Sequence, residues 1–219
     1  MDNVIIFKIL LIIFAYLLGA VPVGYIVFKL KTKGRDIRSE GSGNIGGTNV
    51  IRTIGVPLGV VTILIDVLKG FIPLMIVYFI FPGDLVTLSI AGVAAVVGHV
   101  YSVYLKFRGG KGISTSYGVI IGLCCFAISG SHLLWLRFTP AVAILAAWAV
   151  VFAVSRIVSL ASLSAAVATP VSFYFSGHLL PVVIAAVCLF ILTFIAHRDN
   201  IKRLAKKEEK KIKLEGRIK

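Results

Sequence analysis

The chain has 219 residues, 58% of them hydrophobic, and a formal net charge of +14. A soluble domain carries about 45–50% apolar residues, and a chain this short has too little interior to hide the excess from water. Composition therefore excludes an ordinary soluble domain, and it makes a lipid surface rather than nucleic acid the partner of the positive charge. Three cysteines, Cys124, Cys125 and Cys188, sit in apolar runs without disulfide or metal-ligand spacing. No metal or cofactor is expected.

Taken in chain order, apolar runs cover residues 4–30, 56–81, 85–105, 113–130, 133–154, 157–175 and 179–196. Each approaches the ~20 residues that an α-helix needs to cross the hydrocarbon. The first run is too long for the apolar region of a signal peptide and reads as an uncleaved span. The fold predicted is an all-α integral membrane protein of seven transmembrane helices. Residues 1–200 form the membrane domain and residues 201–219 a basic cytoplasmic tail. The join between the fourth and fifth runs, near 129–137, is the weakest boundary. All but three of the 23 Lys and Arg then fall on one side, the exceptions being Lys8, Lys69 and Arg137. The positive-inside rule makes that side cytoplasmic and puts the N-terminus outside.

Two connections on the cytoplasmic side are glycine-rich. The first, residues 39–52, holds Gly41, Gly43, Gly46 and Gly47 among the neutral donors Ser42, Asn44, Thr48 and Asn49, and ends on Arg52. Backbone N–H groups in such a loop can form an anion-binding concavity, and a guanidinium suits phosphate. A flexible linker is the competing reading. The second, residues 106–112, holds Lys106, Arg108, Gly109, Gly110, Lys111 and Gly112 and leads straight into the fourth run. Glycines ahead of a helix start make a phosphate site from free N–H groups and the positive end of the helix dipole. The spacing is not that of an ATP-binding Walker loop, because Gly112 follows the Lys and no strand precedes it.

Charges inside a span are costly and usually functional. Asp66 and Lys69 lie three apart in the second run and can pair, either to tie helices together or to serve a site. His99 sits one turn before the cytoplasmic end of its run, near the second loop. His197, Arg198, Asp199 and Asn200 stand where the last run meets the cytoplasm. His132 and His178 face the other side and carry no assignment. The tail beyond Asn200 is basic, with Ile201, Leu204, Ile212 and Leu214 spaced irregularly; it suits either an anionic lipid surface or solvent.

Four segments carry a family resemblance: GSGNIGGTNVIR at 41–52, DVLKG at 66–70, GHVYSVYLKFRGGKG at 98–112 and HRDNIKR at 197–203. In order and spacing they resemble the bacterial acyl-phosphate:glycerol-3-phosphate acyltransferases, the PlsY type. The resemblance implies transfer of a long-chain acyl group from acyl phosphate to the 1-hydroxyl of glycerol-3-phosphate. The products would be lysophosphatidate and phosphate, in the first step of phospholipid synthesis. It also implies the bacterial inner membrane, with the site on its cytoplasmic face. Ser42 and Arg52 match the family's functional Ser and Arg. Gly109, Gly110, Lys111 and Gly112 match its glycerol-3-phosphate loop, and His197 and Asn200 its third motif. Asp199 stands where the family commonly has Glu, and Gly47 where Ala is common.

An acyl phosphate is already activated, so the reaction needs no ATP, coenzyme A, metal or enzyme nucleophile. The sequence has neither a GxSxG elbow nor an HExxH metal motif. His99, His197 and the donor's own phosphate remain three candidates for the proton acceptor. A monomer is expected. The rival class is a transporter for an organic phosphate, which usually shows inverted repeats and midplane sites; only Asp66 and Lys69 point that way.

Overall fold

The computed structural model describes residues 2–127 and 134–211. These form ten α-helices: α1 Asp2–Ala20, α2 Val23–Lys31, α3 Gly47–Ile54, α4 Val56–Ile80, α5 Leu85–Val100, α6 Ile113–Phe126, α7 Thr139–Ser155, α8 Val158–Phe175, α9 Leu180–Ala196 and α10 Arg198–Ala205. No strand occurs among the described residues. Most of the join between the fourth and fifth runs, with His132, lies outside them, as do Ile212 and Leu214 of the tail.

Among the described residues, five helical segments are long and apolar enough to cross a bilayer, and a sixth if α9 and α10, bent by 61°, count as one. α6, the fourth of the seven runs, has only 14 helical residues, a rise of about 21 Å against ~30 Å of hydrocarbon. The first run is interrupted. Pro22 lacks an N–H and restricts Val21 before it, so α1 ends at Ala20 and α2 starts anew at Val23.

A break inside a membrane frees carbonyls that lipid cannot satisfy. Here the neighbouring helices supply donors. Ser102 Oγ donates to Ala20 O at 2.6 Å and Lys69 Nζ to Val21 O at 2.8 Å.

The helices pack as two groups. α1, α4, α5 and α6 form one; α7, α8 and α9 form the other, which meets the first mainly where α5 lies against α9. The contact between α4 and α6 is close enough to exclude side chains. A Cβ on Gly118 would strike the Val67 carbonyl, and one on Gly70 the Thr115 carbonyl. Small residues at such crossings replace the missing hydrophobic drive between helices in lipid. By contrast α6 touches α7 only lightly, and α7 buries just Pro140, Ala141 and Ile144 along its length. Several of its other apolar residues, such as Val142, Val150 and Val154, are exposed. A cavity lined by residues of both groups also takes in residues of both glycine-rich loops.

Candidate active site

The first glycine-rich loop is held by one amide. Asn49, 1% exposed, donates from Nδ2 to Glu40 O at 3.0 Å and to Asn44 O at 2.8 Å, and its Oδ1 accepts from Ser42 N at 2.8 Å. These bonds close the loop around the start of α3, which rules out the linker reading. Gly41 takes φ +61° there, and a Cβ on it would strike Asn49 Oδ1. Gly41 and Gly43 shape the turn without lining a cavity. Ser42, Asn44, Thr48 and Arg52 line one.

The second loop folds back on the helix before it. Gly109 N donates to Val100 O and Gly110 N to His99 O, both at 3.0 Å. These N–H groups cap the last carbonyls of α5 and so are not free to hold a phosphate, contrary to the expectation from sequence. The N–H groups left are those of Lys111 and Gly112 in the loop and the first-turn N–H groups of α6, such as Ile113 and Ser114, behind the left-handed Gly112 (φ +79°). Lys111 projects beside them into the same cavity. Burial pulls its ammonium down to about 8, opposed by Glu209 and aided by Arg203 and Arg52. Lys106 and Arg108 are exposed and stand outside the cavity, another departure from expectation.

The third contribution comes from the bend between α9 and α10. His197, 1% exposed, has Nδ1 at 2.8 Å from Thr193 O. A carbonyl only accepts, so Nδ1 carries the proton and Nε2 is left as an acceptor. Burial, then Lys111, lower this imidazole to about 4, and it is neutral at pH 7. Asn200, 3% exposed, donates from Nδ2 to Glu209 Oε1 at 2.6 Å. Arg198 and Asp199 pair at 4.0 Å on the surface, 76% and 67% exposed, and do not line the cavity.

Asp66 and Lys69 do pair, at 2.9 Å. Lys69 is spent on Asp66 and Val21 O, so it reads as a brace for the broken first run. Asp66 and His99 reach the cavity wall. His99 Nδ1 lies 3.2 Å from Thr115 Oγ1 and 3.8 Å from Asp66 Oδ1.

These parts surround one cavity of about 330 Å³. Its mouth is polar, with Arg52, Lys111, His197 and Asn200. Its depth is apolar, with Ile63, Val67, Tyr117, Ile120, Ile144, Trp148, Ala166 and Leu189. On α8 the wall runs from Ser159 to Thr169, about 15 Å at 1.5 Å per residue. That is one leaflet of a hydrocarbon core ~30 Å thick. Sequence reading missed Ser114, Ser116, Ser159, Ser162, Thr193 and Glu209 as cavity residues. Ser114 directly follows the second loop, and Glu209 is an acid inside a basic run. The serines of α8 carried no signal, since Ser is common in membrane helices.

Such a cavity suits an amphiphile with anionic groups at the mouth and one acyl chain below. Residues 9–207 match the glycerol-3-phosphate acyltransferase family. The chain belongs to that family. A glycerol-3-phosphate acyltransferase of Endomicrobium trichonymphae is 42% identical over 207 residues, 94% of this chain and 96% of that protein. One of Aquifex aeolicus is 39% identical over 194 residues, 89% of this chain and 93% of its own. The fold is similar to a crystal structure of PlsY (YgiH), an integral membrane glycerol 3-phosphate acyltransferase, in its glycerol 3-phosphate form. The TM-score is 0.84 at 36% identity, covering 94% of this chain and 96% of that one. A lysophosphatidic acid form of PlsY matches with a TM-score of 0.82 at 35% identity, over 94% and 95% of the two chains. Family membership and the outward-facing apolar helices agree in making this an all-helical integral membrane acyltransferase.

Proposed function

We propose that the chain transfers a long-chain acyl group from acyl phosphate to the 1-hydroxyl of glycerol-3-phosphate, releasing lysophosphatidate and inorganic phosphate. The observation that carries this reading is a cavity that is cationic at its mouth and apolar for one leaflet's depth. It offers separate places for phosphate and for an acyl chain.

Lys111 and the first-turn N–H groups of α6 hold the phosphate of glycerol-3-phosphate. Arg52, Ser42 and Asn44 hold the acyl-phosphate head and the oxyanion that develops on its carbonyl. Aligning the two substrates is worth about 7–11 kcal/mol of barrier, and one oxyanion donor about 2.7–4 kcal/mol. His197 is a poor general base with its conjugate acid near 4; its Nε2 instead accepts from and orients a hydroxyl. The nucleophile's proton leaves with the departing phosphate. The hydroxyl oxygen bonds to the acyl carbon, the carbon–oxygen bond to phosphate breaks, and hydrogen phosphate departs.

Supporting the seven-span arrangement are the alternation of basic residues and the gathering of all the site loops at one end. In this reading the N-terminus is outside, the bacterial inner membrane holds the protein as a monomer, and the site faces the cytoplasm. The test is turnover by purified protein given glycerol-3-phosphate with palmitoyl phosphate, and palmitoyl-coenzyme A in parallel. Lysophosphatidate formed only from the acyl phosphate, and lost in Lys111→Ala, is the expected result. Product from coenzyme A ester alone overturns the donor. Uptake of unmodified glycerol-3-phosphate into vesicles, with no product from either donor, replaces the enzyme by a transporter.

A further inference from the structure

We propose that His99 is a positioning residue for the acceptor substrate. Its imidazole is the bed on which the second glycine-rich loop lies. Through that loop it sets where Lys111 and the start of α6 meet the phosphate of glycerol-3-phosphate. The inference rests on the reading of the site given above and adds a residue that acts through it.

His99 stands in the last turn of α5 and is buried. Its ring is held on one edge by two other helices. From α6, Thr115 brings Oγ1 to 3.2 Å from Nδ1. From α4, Asp66 brings Oδ1 to 3.8 Å from the same nitrogen. Both partners are buried as well. The 3.2 Å contact between ring nitrogen and hydroxyl is a hydrogen bond whichever atom donates. The other edge of the ring faces the loop. A Cβ on Gly110 would strike His99 Nε2, and one on Gly109 would strike the His99 carbonyl. Gly110 N donates to that same carbonyl at 3.0 Å. One residue therefore supports the loop with its backbone and with its ring. Pinned at Nδ1, the imidazole cannot swing away from anything added at Gly110.

The consequence falls on residues 111–114. Gly110 directly precedes Lys111, and Thr115 belongs to the first turn of α6. His99 thus touches the chain on both sides of the stretch that carries the ammonium and the N–H groups left for a phosphate. A shift of the ring moves both kinds of phosphate donor together, while Ser42, Asn44 and Arg52 sit on a different loop and stay in place.

The test measures kcat and KM for both substrates in the full chain and in His99→Asn, Gly110→Ala and the double variant. Asn keeps a polar atom near Nδ1 for Thr115 and removes the ring edge beneath Gly110. A misplacement of about 1 Å in a site can cost about a hundredfold. Gly110→Ala presses a methyl onto the imidazole and should raise KM for glycerol-3-phosphate at least about tenfold. His99→Asn should raise it too, and KM for palmitoyl phosphate should stay within about twofold in both. In the His99→Asn background Gly110→Ala should cost less than about twofold, because the methyl enters the space the ring left. Costs that simply multiply in the double variant overturn the proposal. So does an equal rise in KM for both substrates, the mark of general loosening. A fall in kcat with KM for glycerol-3-phosphate unchanged in His99→Asn also overturns it and makes the imidazole a proton acceptor instead. Thr115→Val keeps the shape and removes the hydroxyl, and it carries the same test if the double variant does not fold. Freed at Nδ1, the ring can yield, so Gly110→Ala should cost less there than in the wild type, and an equal cost overturns the proposal. Failure of the underlying reading looks different: it shows as no turnover by the wild type or an unchanged KM for glycerol-3-phosphate in Lys111→Ala.

Discussion

Lys69 Nζ donates to the carbonyl of Val21, forty-eight residues away, at 2.8 Å. Pro22 stops α1, so that carbonyl has no helical partner four residues on, and it otherwise accepts from the nearby Val23 N at 3.0 Å. Lys69 also pairs with Asp66, and both side chains are nearly fully buried, at 4% and 3% exposure. The ammonium is therefore a cap for a broken helix and a counter-ion for Asp66 at once. Removing one partner of a buried pair costs about 3–5 kcal/mol, because the other charge is stranded. Lys69→Met should lower the melting temperature in detergent sharply. Asp66→Asn with Lys69→Met should recover much of that loss, and a double variant no more stable than the single one would contradict the assignment.

Lys111 makes acceptor binding depend on pH. Its ammonium, at about 8 in the free protein, is charged below that value and neutral above it. KM for glycerol-3-phosphate should thus be flat up to about pH 7 and rise as pH climbs through 8. The guanidinium of Lys111→Arg stays charged across that range. Steady-state kinetics on this variant should show the alkaline limb gone, whatever its absolute rate. An unchanged limb would assign the titration to another group.

Asn49 braces the loop that carries Ser42, Asn44 and Arg52, without a free polar atom for substrate. Asn49→Ala removes three hydrogen bonds, about 1 kcal/mol each. Turnover should fall by about a hundredfold while the helix content by circular dichroism stays that of the wild type. Asn49→Asp, which keeps the acceptor for Ser42 N but loses both donations, should fall between the two.

Cavity depth should limit acyl-chain length. Thr169, about 15 Å below Ser159 along α8, lines the cavity, and beyond it Phe173 is completely buried in the core. Thr169→Phe raises this floor. Turnover of palmitoyl phosphate should fall at least about tenfold, and that of octanoyl phosphate should hold within about twofold. Equal losses for both donors would mean that the longer chain lies outside, among lipids.

Apolar runs, basic asymmetry and the two glycine-rich loops are local properties, so the helical membrane fold and the residues Ser42, Arg52 and Lys111 were legible in the sequence, while His197 and Asn200 were legible through the resemblance of 197–203 to the family's third motif. The Asp66–Lys69 pair was legible for the same reason, since three residues is one helical turn. What Lys69 does was not, because its second partner is set by the break at Pro22 and by how α4 packs against it. Tertiary structure likewise decided that Gly109 and Gly110 cap α5 and present no N–H to a ligand, and that Lys106 and Arg108 point away from the site. It also brought Glu209 and Ser159, fifty residues apart, onto one carboxylate at the cavity mouth. Contacts of that kind have no periodicity. They depend on where a helix stops and which neighbour supplies the missing hydrogen bond, and only the packed chain determines both.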